Sequence, residues 1–292
     1  MSRAIMAGVG AYLIWGGSPI YWNAIKHVPP AEALSWRVLW AIVILLGVLA
    51  LRSQWTVLFR VLTTPRTLLI SIGAGLLLSV NWAVFVWAVT SGHIVEVSLG
   101  YYINPLMSVA LGVVILRETL SSGARLSVAI ATIAVVVMTL AGDEWPWIAL
   151  SLASTFALYG LLKKQPAAGP PLESLLVEAT TALIPLSFYL FYLVYGGQSV
   201  VMASDDHPLL IPASGLITVL PLVLFGVAVR SVPLSTLGML QYLAPTIQLV
   251  LGLALYGEVA TSAEIFGFVS VWVALAIYAF DSLRQPTGAA EG

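Results

Sequence analysis

Long apolar stretches separated by short polar breaks run the whole length of the chain. Ten such runs can be read: Ala4–Ile25, Ala33–Leu51, Leu68–Val89, Ile94–Leu116, Arg125–Leu140, Trp147–Leu162, Leu172–Tyr195, Leu209–Val229, Leu234–Tyr256 and Ala263–Phe280. A helix that crosses a bilayer needs about 20 mostly apolar residues, because the hydrocarbon layer is about 30 Å thick. Residues that end helices fill the breaks: Pro29-Pro30, Thr64-Pro65, Ser91-Gly92, Ser121-Ser122-Gly123, Pro170-Pro171 and Ser204-Asp205-Asp206. The runs are continuous rather than alternating, which excludes an outer-membrane barrel. The pattern predicts an all-α integral membrane protein of ten transmembrane helices.

Composition narrows this further. Of 292 residues, 60% are hydrophobic and 9% charged, against about 25% charged in an ordinary soluble domain. Neither a basic patch nor a soluble domain is present to engage nucleic acid. Cysteine is absent, so disulfides, thiolate metal sites and thiol catalysis are excluded. His27, His93 and His207 fall in breaks and never pair at ligand spacing, so no metal and no cofactor is expected. The first run follows Arg3, exceeds a signal-peptide core and lacks a small-residue cleavage site, so it is expected to remain as the first helix.

Charge sets the sidedness, because cytoplasmic loops collect Lys and Arg. With ten spans and an internal N-terminus, ten of the 12 basic residues fall inside: Arg3, Arg52, Arg60, Arg66, Arg117, Arg125, Lys163, Lys164, Arg230 and Arg284. Only Lys26 falls outside, and Arg37 lies within a run. The outer segments instead hold Glu32, Asp143, Glu144, Asp205, Asp206, Glu258 and Glu264. A miscounted helix would scramble this alternation. The expectation is a multi-pass protein of a cell inner membrane with both termini cytoplasmic.

The chain also matches itself at a shift of about 140 residues. Tyr102, Pro105, Leu111, Gly112 and Glu118 fall on Tyr242, Pro245, Leu251, Gly252 and Glu258, and Gly75, Phe85, Ala88, Val89 and Ser91 on Gly215, Phe225, Ala228, Val229 and Ser231. Trp15-Gly16 sits opposite Tyr159-Gly160, and Glu32 opposite Glu173. The Pro, Gly and Glu coincidences carry the weight, since apolar matches are cheap. The expected organisation is two five-helix repeats, 1–142 and 143–292. An odd number of spans turns the second upside down, an arrangement that lets one site face either side in turn.

Five passages carry a resemblance to a known family: AYLIWGGSPIYW (Ala11–Trp22), SWRVLW (Ser35–Trp40), NWAVFVWAV (Asn81–Val89), GHIVEVSLGYYINPL (Gly92–Leu106) and PLSTLGMLQYLAPT (Pro233–Thr246). Over nearly its whole length the chain resembles the RarD group of the EamA family, in the drug/metabolite transporter superfamily. The resemblance implies a ten-helix, inverted-repeat permease of a bacterial cytoplasmic membrane that exports or exchanges small molecules through a cavity between the halves. It names no substrate and no site residue.

Candidate chemistry comes from polar groups inside the runs, where an uncompensated charge costs several kcal/mol. Arg37 and Glu178 occupy matching repeat positions: Arg37 as a binding group for an anionic substrate with Glu178 as its gated counter-charge, the two as a structural ion pair locking the halves together, or two side chains each hydrated near an end. Glu96 is a coupling candidate or a carboxylate drawn to a helix N-terminus by the dipole. Asn81 is a ligand contact or helix-to-helix glue. Pro105 and Pro245 are expected to kink their helices and free backbone carbonyls, which puts Tyr101, Tyr102, Asn104, Gln241 and Tyr242 beside a cavity. Trp15 and Trp82 lie deep enough to stack on a flat substrate or simply to pack.

Secondary transport of a small organic metabolite or drug-like molecule is the leading expectation, with proton coupling left open. No phosphate-binding GxxxxGK[ST] loop is present to power it by nucleotide hydrolysis. A membrane enzyme lacks an HExxH or GxSxG motif. A lipid flippase or a non-transporting sensor is the alternative. Expected partners are the small-molecule substrate and membrane lipids, with a homodimer left open.

Overall fold

The computed structural model describes residues 3–140, 145–203, 209–256 and 262–284. Among them every regular element is a helix: α1 Arg3–Ala24, α2 Pro30–Leu51, α3 Trp55–Thr63, α4 Pro65–Thr90, α5 Ile94–Val114, α6 Ser122–Leu140, α7 Trp147–Lys163, α8 Pro171–Tyr195, α9 Val200–Ala203, α10 Leu210–Ser231, α11 Leu234–Gln241, α12 Leu243–Leu255 and α13 Ser262–Arg284. All ten expected runs are helical. Seven stretches are long and apolar enough to cross a membrane: α2, α4, α5, α6, α8 with its extension, α10, and α11–α12 together. α7 is shorter, as is the apolar part of α13, Ile265–Asp281. The 22 residues of α1 suffice in length, but Ser18, Pro19, Tyr21 and Asn23 dilute its hydropathy.

Local chemistry explains the ends. Pro30, Pro65 and Pro171 open α2, α4 and α8, where the missing N–H costs nothing and the fixed φ suits the first turn. Gly92 and Gly197 close α4 and α8 with φ of 83° and 67°, and the next residue's N–H returns to the carbonyl five positions back (His93 to Ala88, Gln198 to Leu193). α3 and α9 fall in gaps between apolar runs, which is why periodicity over long windows misses them.

The helices alternate in direction, so one end of the bundle gathers the start of α1 and the end of α13. This is the terminal end; the other is the distal end. The principal packing pairs are α5 with α7 and α11, α10 with α1 and α2, α4 with α7 and α8, α12 with α1, α2 with α8, and α6 with α13. Each joins a helix before residue 141 to one after residue 146. The two halves are therefore interleaved, with no separate cores. Exchanging α1 for α7, α2 for α8, α4 for α10, α5 for α11–α12 and α6 for α13 maps this set of pairs onto itself. Gly75 and Gly215 show why the approach is close. A Cβ on Gly75 would lie 2.8 Å from the Glu178 carbonyl oxygen, and one on Gly215 would lie 2.7 Å from the Ala41 nitrogen.

The core is uneven along the bundle axis. Around the terminal half one cluster joins seven helices, including Tyr12, Leu45, Leu78, Tyr159, Phe225 and Leu237. Near Arg37 the distal half holds small, separate clusters: Ala88, Val97, Ile148 and Leu152; Ile25, Val28 and Ala33; Leu34, Val38 and Ala182. A further core, with Tyr102, Val135, Ala149, Tyr242 and Phe268, ties α5, α6, α7, α11 and α13 into a side wall that reaches into the distal half.

Candidate functional site

Arg37 lies seven residues, or about 10 Å, from the distal start of α2. Its guanidinium carbon stands 4.7 Å from the Trp82 ring of α4 and 5.5 Å from the Trp22 ring of α1. Tyr101 of α5 and Tyr21 of α1 lie within its electrostatic reach. Tyr21 is fixed there by donating its hydroxyl hydrogen to the Leu210 carbonyl at 2.7 Å. The Arg37 Nε is buried without a hydrogen-bond partner, and among the described residues no carboxylate pairs with the group. A desolvated cation–π contact contributes about 2 kcal/mol, and an arginine at mid-helix in a bilayer costs about 2.5–3.5 kcal/mol by insertion measurements. The two indoles thus offset the burial without taking up the N–H groups of the fork. That edge matches a carboxylate or phosphate. Tyr101 is 38% exposed beside it.

Whether Arg37 meets Glu178, which the sequence leaves open, is answered by depth: the two do not meet. Glu178 lies seven residues from the start of α8, at the terminal end, so the two matching positions sit at opposite depths. Glu178 instead takes Lys163 of α7 at 2.5 Å, with both side chains buried (0% and 4% exposed). Tyr159 donates to the other carboxylate oxygen at 3.0 Å, and Lys163 also donates to Ser174 at 2.6 Å. Above this pair, Trp15, Phe156, Tyr159 and Phe225 form a ring cluster with centroids 5.4–6.0 Å apart. Trp15 is committed to that cluster, between the arginine box and the buried pair.

The other candidates scatter. Asn81 donates to the Leu152 carbonyl and the Thr155 hydroxyl of α7, both at 2.9 Å, which is helix-to-helix glue. Tyr102, Gln241 and Tyr242 are buried in the crossing of α5 with α11 rather than beside a cavity. There the Tyr242 hydroxyl reaches the Tyr102 carbonyl at 3.2 Å, and the Gln241 amide lies 3.3 Å from the Ser108 hydroxyl. The reason is close packing: Gly238 brings α11 so near that a Cβ would lie 2.7 Å from the Pro105 carbonyl oxygen. α5 runs through Pro105 as one helix, whereas the second half breaks at Tyr242, three residues before Pro245. Asn104 buries an amide oxygen without a partner. Glu96 sits in the first turn of α5, the dipole-favoured place, with one oxygen buried and unpartnered near His93, which stacks on Trp87. Glu258, Asp143, Glu144, Asp205 and Asp206 lie outside the described residues.

Several working residues are missed by reading the sequence. Trp22 is given no role there, and Lys163 counts as a cytoplasmic charge. The available signal was spacing: Tyr159 and Lys163 are four apart, on one face of α7. Glu118 is another. It accepts from the Leu234 and Ser235 backbone N–H groups at 2.7 and 2.8 Å and from the Ser235 hydroxyl, capping α11. Lys164 completes this latch by donating to the Val232 carbonyl at 2.6 Å; burial lowers its pKa, and Glu118, 3.9 Å away, opposes that.

Comparison with known proteins places this geometry. A model of the EamA-like transporter family matches residues 2–140. Protein RarD of Streptomyces exfoliatus is 42% identical over 96% of this chain and 89% of its own length. The chain belongs to the RarD group of the EamA family. An uncharacterized transporter of Pseudomonas aeruginosa is 39% identical over 98% of this chain and 96% of its own length. Protein RarD of Escherichia coli is 34% identical over 96% of this chain and 95% of its own. A crystal structure of a protein only 18% identical covers 97% of this chain and 100% of its own, with a TM-score of 0.72, so the fold is shared. This RarD-group chain is thus an all-α, multi-pass membrane protein of a transporter family.

Proposed function

We propose that this RarD-group protein is a secondary transporter that moves a small organic molecule bearing a carboxylate or similar anionic group across the bacterial inner membrane by alternating access. Arg37 is its binding cation, Trp22 and Trp82 flank the cargo's charge, and Tyr101 lines the approach. The observation that carries this reading is the buried guanidinium held between two indoles without a carboxylate partner among the described residues. A cation kept in a membrane without a fixed counter-charge is expected on a substrate or ion path.

Two further features support it. The exchange symmetry of the packing pairs is what two inverted five-helix repeats, 1–142 and 143–292, would produce, and such repeats permit rocking about a central site. The continuous core around the terminal half and the small, separate clusters around Arg37 fit a conformation closed at one end. With ten spans and the ten-to-one distribution of basic loop residues, the closed end is cytoplasmic, and the protein faces outward.

The test is a thermal-shift panel on purified protein, pairing small carboxylates with their amides, followed by uptake of any stabilising compound into proteoliposomes. A carboxylate is expected to stabilise and enter where its amide does not. Arg37→Gln should weaken it about 10–100-fold, the worth of one charged hydrogen bond. Equal response to acid and amide, or an unchanged Arg37→Gln, would sink the proposal. Collapse of an imposed pH gradient in the same vesicles reports whether a proton accompanies the anion.

A further inference from the structure

The buried pair at the terminal end has the donors of a carboxylate site. The Lys163 ammonium and the Tyr159 hydroxyl each hold one oxygen of the same carboxylate, at 2.5 and 3.0 Å, and Ser174 orients the ammonium at 2.6 Å. The side chain of Glu178 fills this place without exposure, and its backbone is pressed against Gly75 of α4. Arg37 has a similar set at the distal end, a cation with tyrosines near it, but nothing from the described chain fills it. The Trp15, Phe156, Tyr159 and Phe225 rings lie between the two.

We propose that Lys163, with Tyr159, is the terminal-end carboxylate-binding station of the path, and that Glu178 occupies it as the chain's own stand-in for the cargo while that end is closed. The proposal rests on the transporter reading above and adds a second station to it. Opening then consists of Glu178 leaving Lys163, and an anion arriving from the distal side or from the cytoplasm takes its place. The cargo at this station is of the carboxylate class, because the donors present are those that hold a carboxylate now.

Its test needs no knowledge of the natural substrate. The chain has no cysteine, so a single Ser71→Cys reports on the closed core; Ser71 is 1% exposed and one turn from Gly75. Maleimide labelling in nanodiscs should be slow in this background. Glu178→Ala should raise the rate about tenfold or more by opening the terminal end. That substitution removes a fragment with the size and charge of acetate. Adding acetate should slow labelling again, and acetamide should not. In Lys163→Met/Glu178→Ala acetate should have no effect.

Glu178→Gln keeps the shape and guards against a folding failure; it should label fast and ignore acetate. Labelling as slow in Glu178→Gln as in the parent would overturn the proposal. So would equal rescue by acetamide, or rescue that persists without Lys163. Failure here with an intact Arg37 response would remove the second station and leave the transporter reading standing. Loss of the Arg37 response with acetate rescue intact would do the reverse.

Discussion

The two ends of the bundle treat their buried cations in opposite ways. At the terminal end Lys163 and Glu178 neutralise each other inside the largest core, and Glu118 with Lys164 latches the turn into α11. At the distal end Glu32 latches the start of α9 by accepting from the Ser199 hydroxyl and the Val200 and Val201 N–H groups, but Arg37 stands against two indoles and pairs with no carboxylate among the described residues. The same scaffold thus supplies a paired cation at one end and an unpaired one at the other. On the function proposed above that difference is one of state: the paired cation belongs to the end taken to be closed, and the unpaired one is the place proposed for cargo.

The largest effect should come from breaking the sealed pair unevenly. Lys163→Met orphans a buried carboxylate and should cost about 3–5 kcal/mol, seen as a large fall in the thermal midpoint of the purified protein. Lys163→Met/Glu178→Leu removes both charges and should recover most of that loss. A single variant as stable as the double would mean that the pair is hydrated and the closed end less dry than its burial implies.

Close approach ranks next. Gly75→Ala and Gly215→Ala each force a Cβ within 2.8 Å of a neighbouring helix and should destabilise by about 1–3 kcal/mol. Gly47 meets nothing within 4 Å, so Gly47→Ala should be neutral or stabilise by up to about 1 kcal/mol. Parallel melting of the three variants checks both signs. Gly75 and Gly215 are sequence counterparts, so their losses should be alike; a harmless Gly75→Ala beside a damaging Gly215→Ala would break the exchange symmetry of the packing.

A smaller loss is expected at the latch. Glu118→Ala removes the cap of α11 and should cost about 1 kcal/mol, the usual worth of a helix cap. Amide exchange at Leu234 and Ser235 should rise first, since those N–H groups lose their acceptor. If exchange rises equally along α10, the latch holds the whole turn rather than one helix start.

How much of this was legible beforehand depended on the length scale. The ten apolar runs are helical, because a bilayer demands length and uniform hydropathy, and seven stretches among the described residues are long and apolar enough to cross one. Gly75 and Gly215, matched by the shift of about 140 residues, both sit at close helix contacts, which is where a sequence match of small residues is expected. The short α3 and α9 left no run to see. Arg37 was found because a charge inside an apolar run is conspicuous. Whether Glu178 partners it stayed open in the sequence, because matching residues of oppositely directed helices lie at opposite depths, which a one-dimensional alignment hides. Lys163 was hidden by its neighbours: in Lys163-Lys164-Gln165 it reads as an interfacial charge, and only folding α8 back against α7 turns it inward. Tyr102, Gln241 and Tyr242 showed where the halves cross, but polar residues near a proline do not say whether water or another helix lies opposite.

The smallest expected effect is the most discriminating. Arg37→Met removes the same unit of positive charge as Lys163→Met from a similar distance inside the bundle. It orphans no carboxylate among the described residues, and it exchanges a costly cation for an apolar chain beside Trp22 and Trp82. Its thermal midpoint should stay within about 0.5 kcal/mol of the parent, or rise, while the response to carboxylates disappears. Stability lost to the same degree as in Lys163→Met would mean that Arg37 has a fixed anionic partner and is structural. Stability kept and binding lost would separate the two ends by what they do, one holding the fold shut and the other holding cargo.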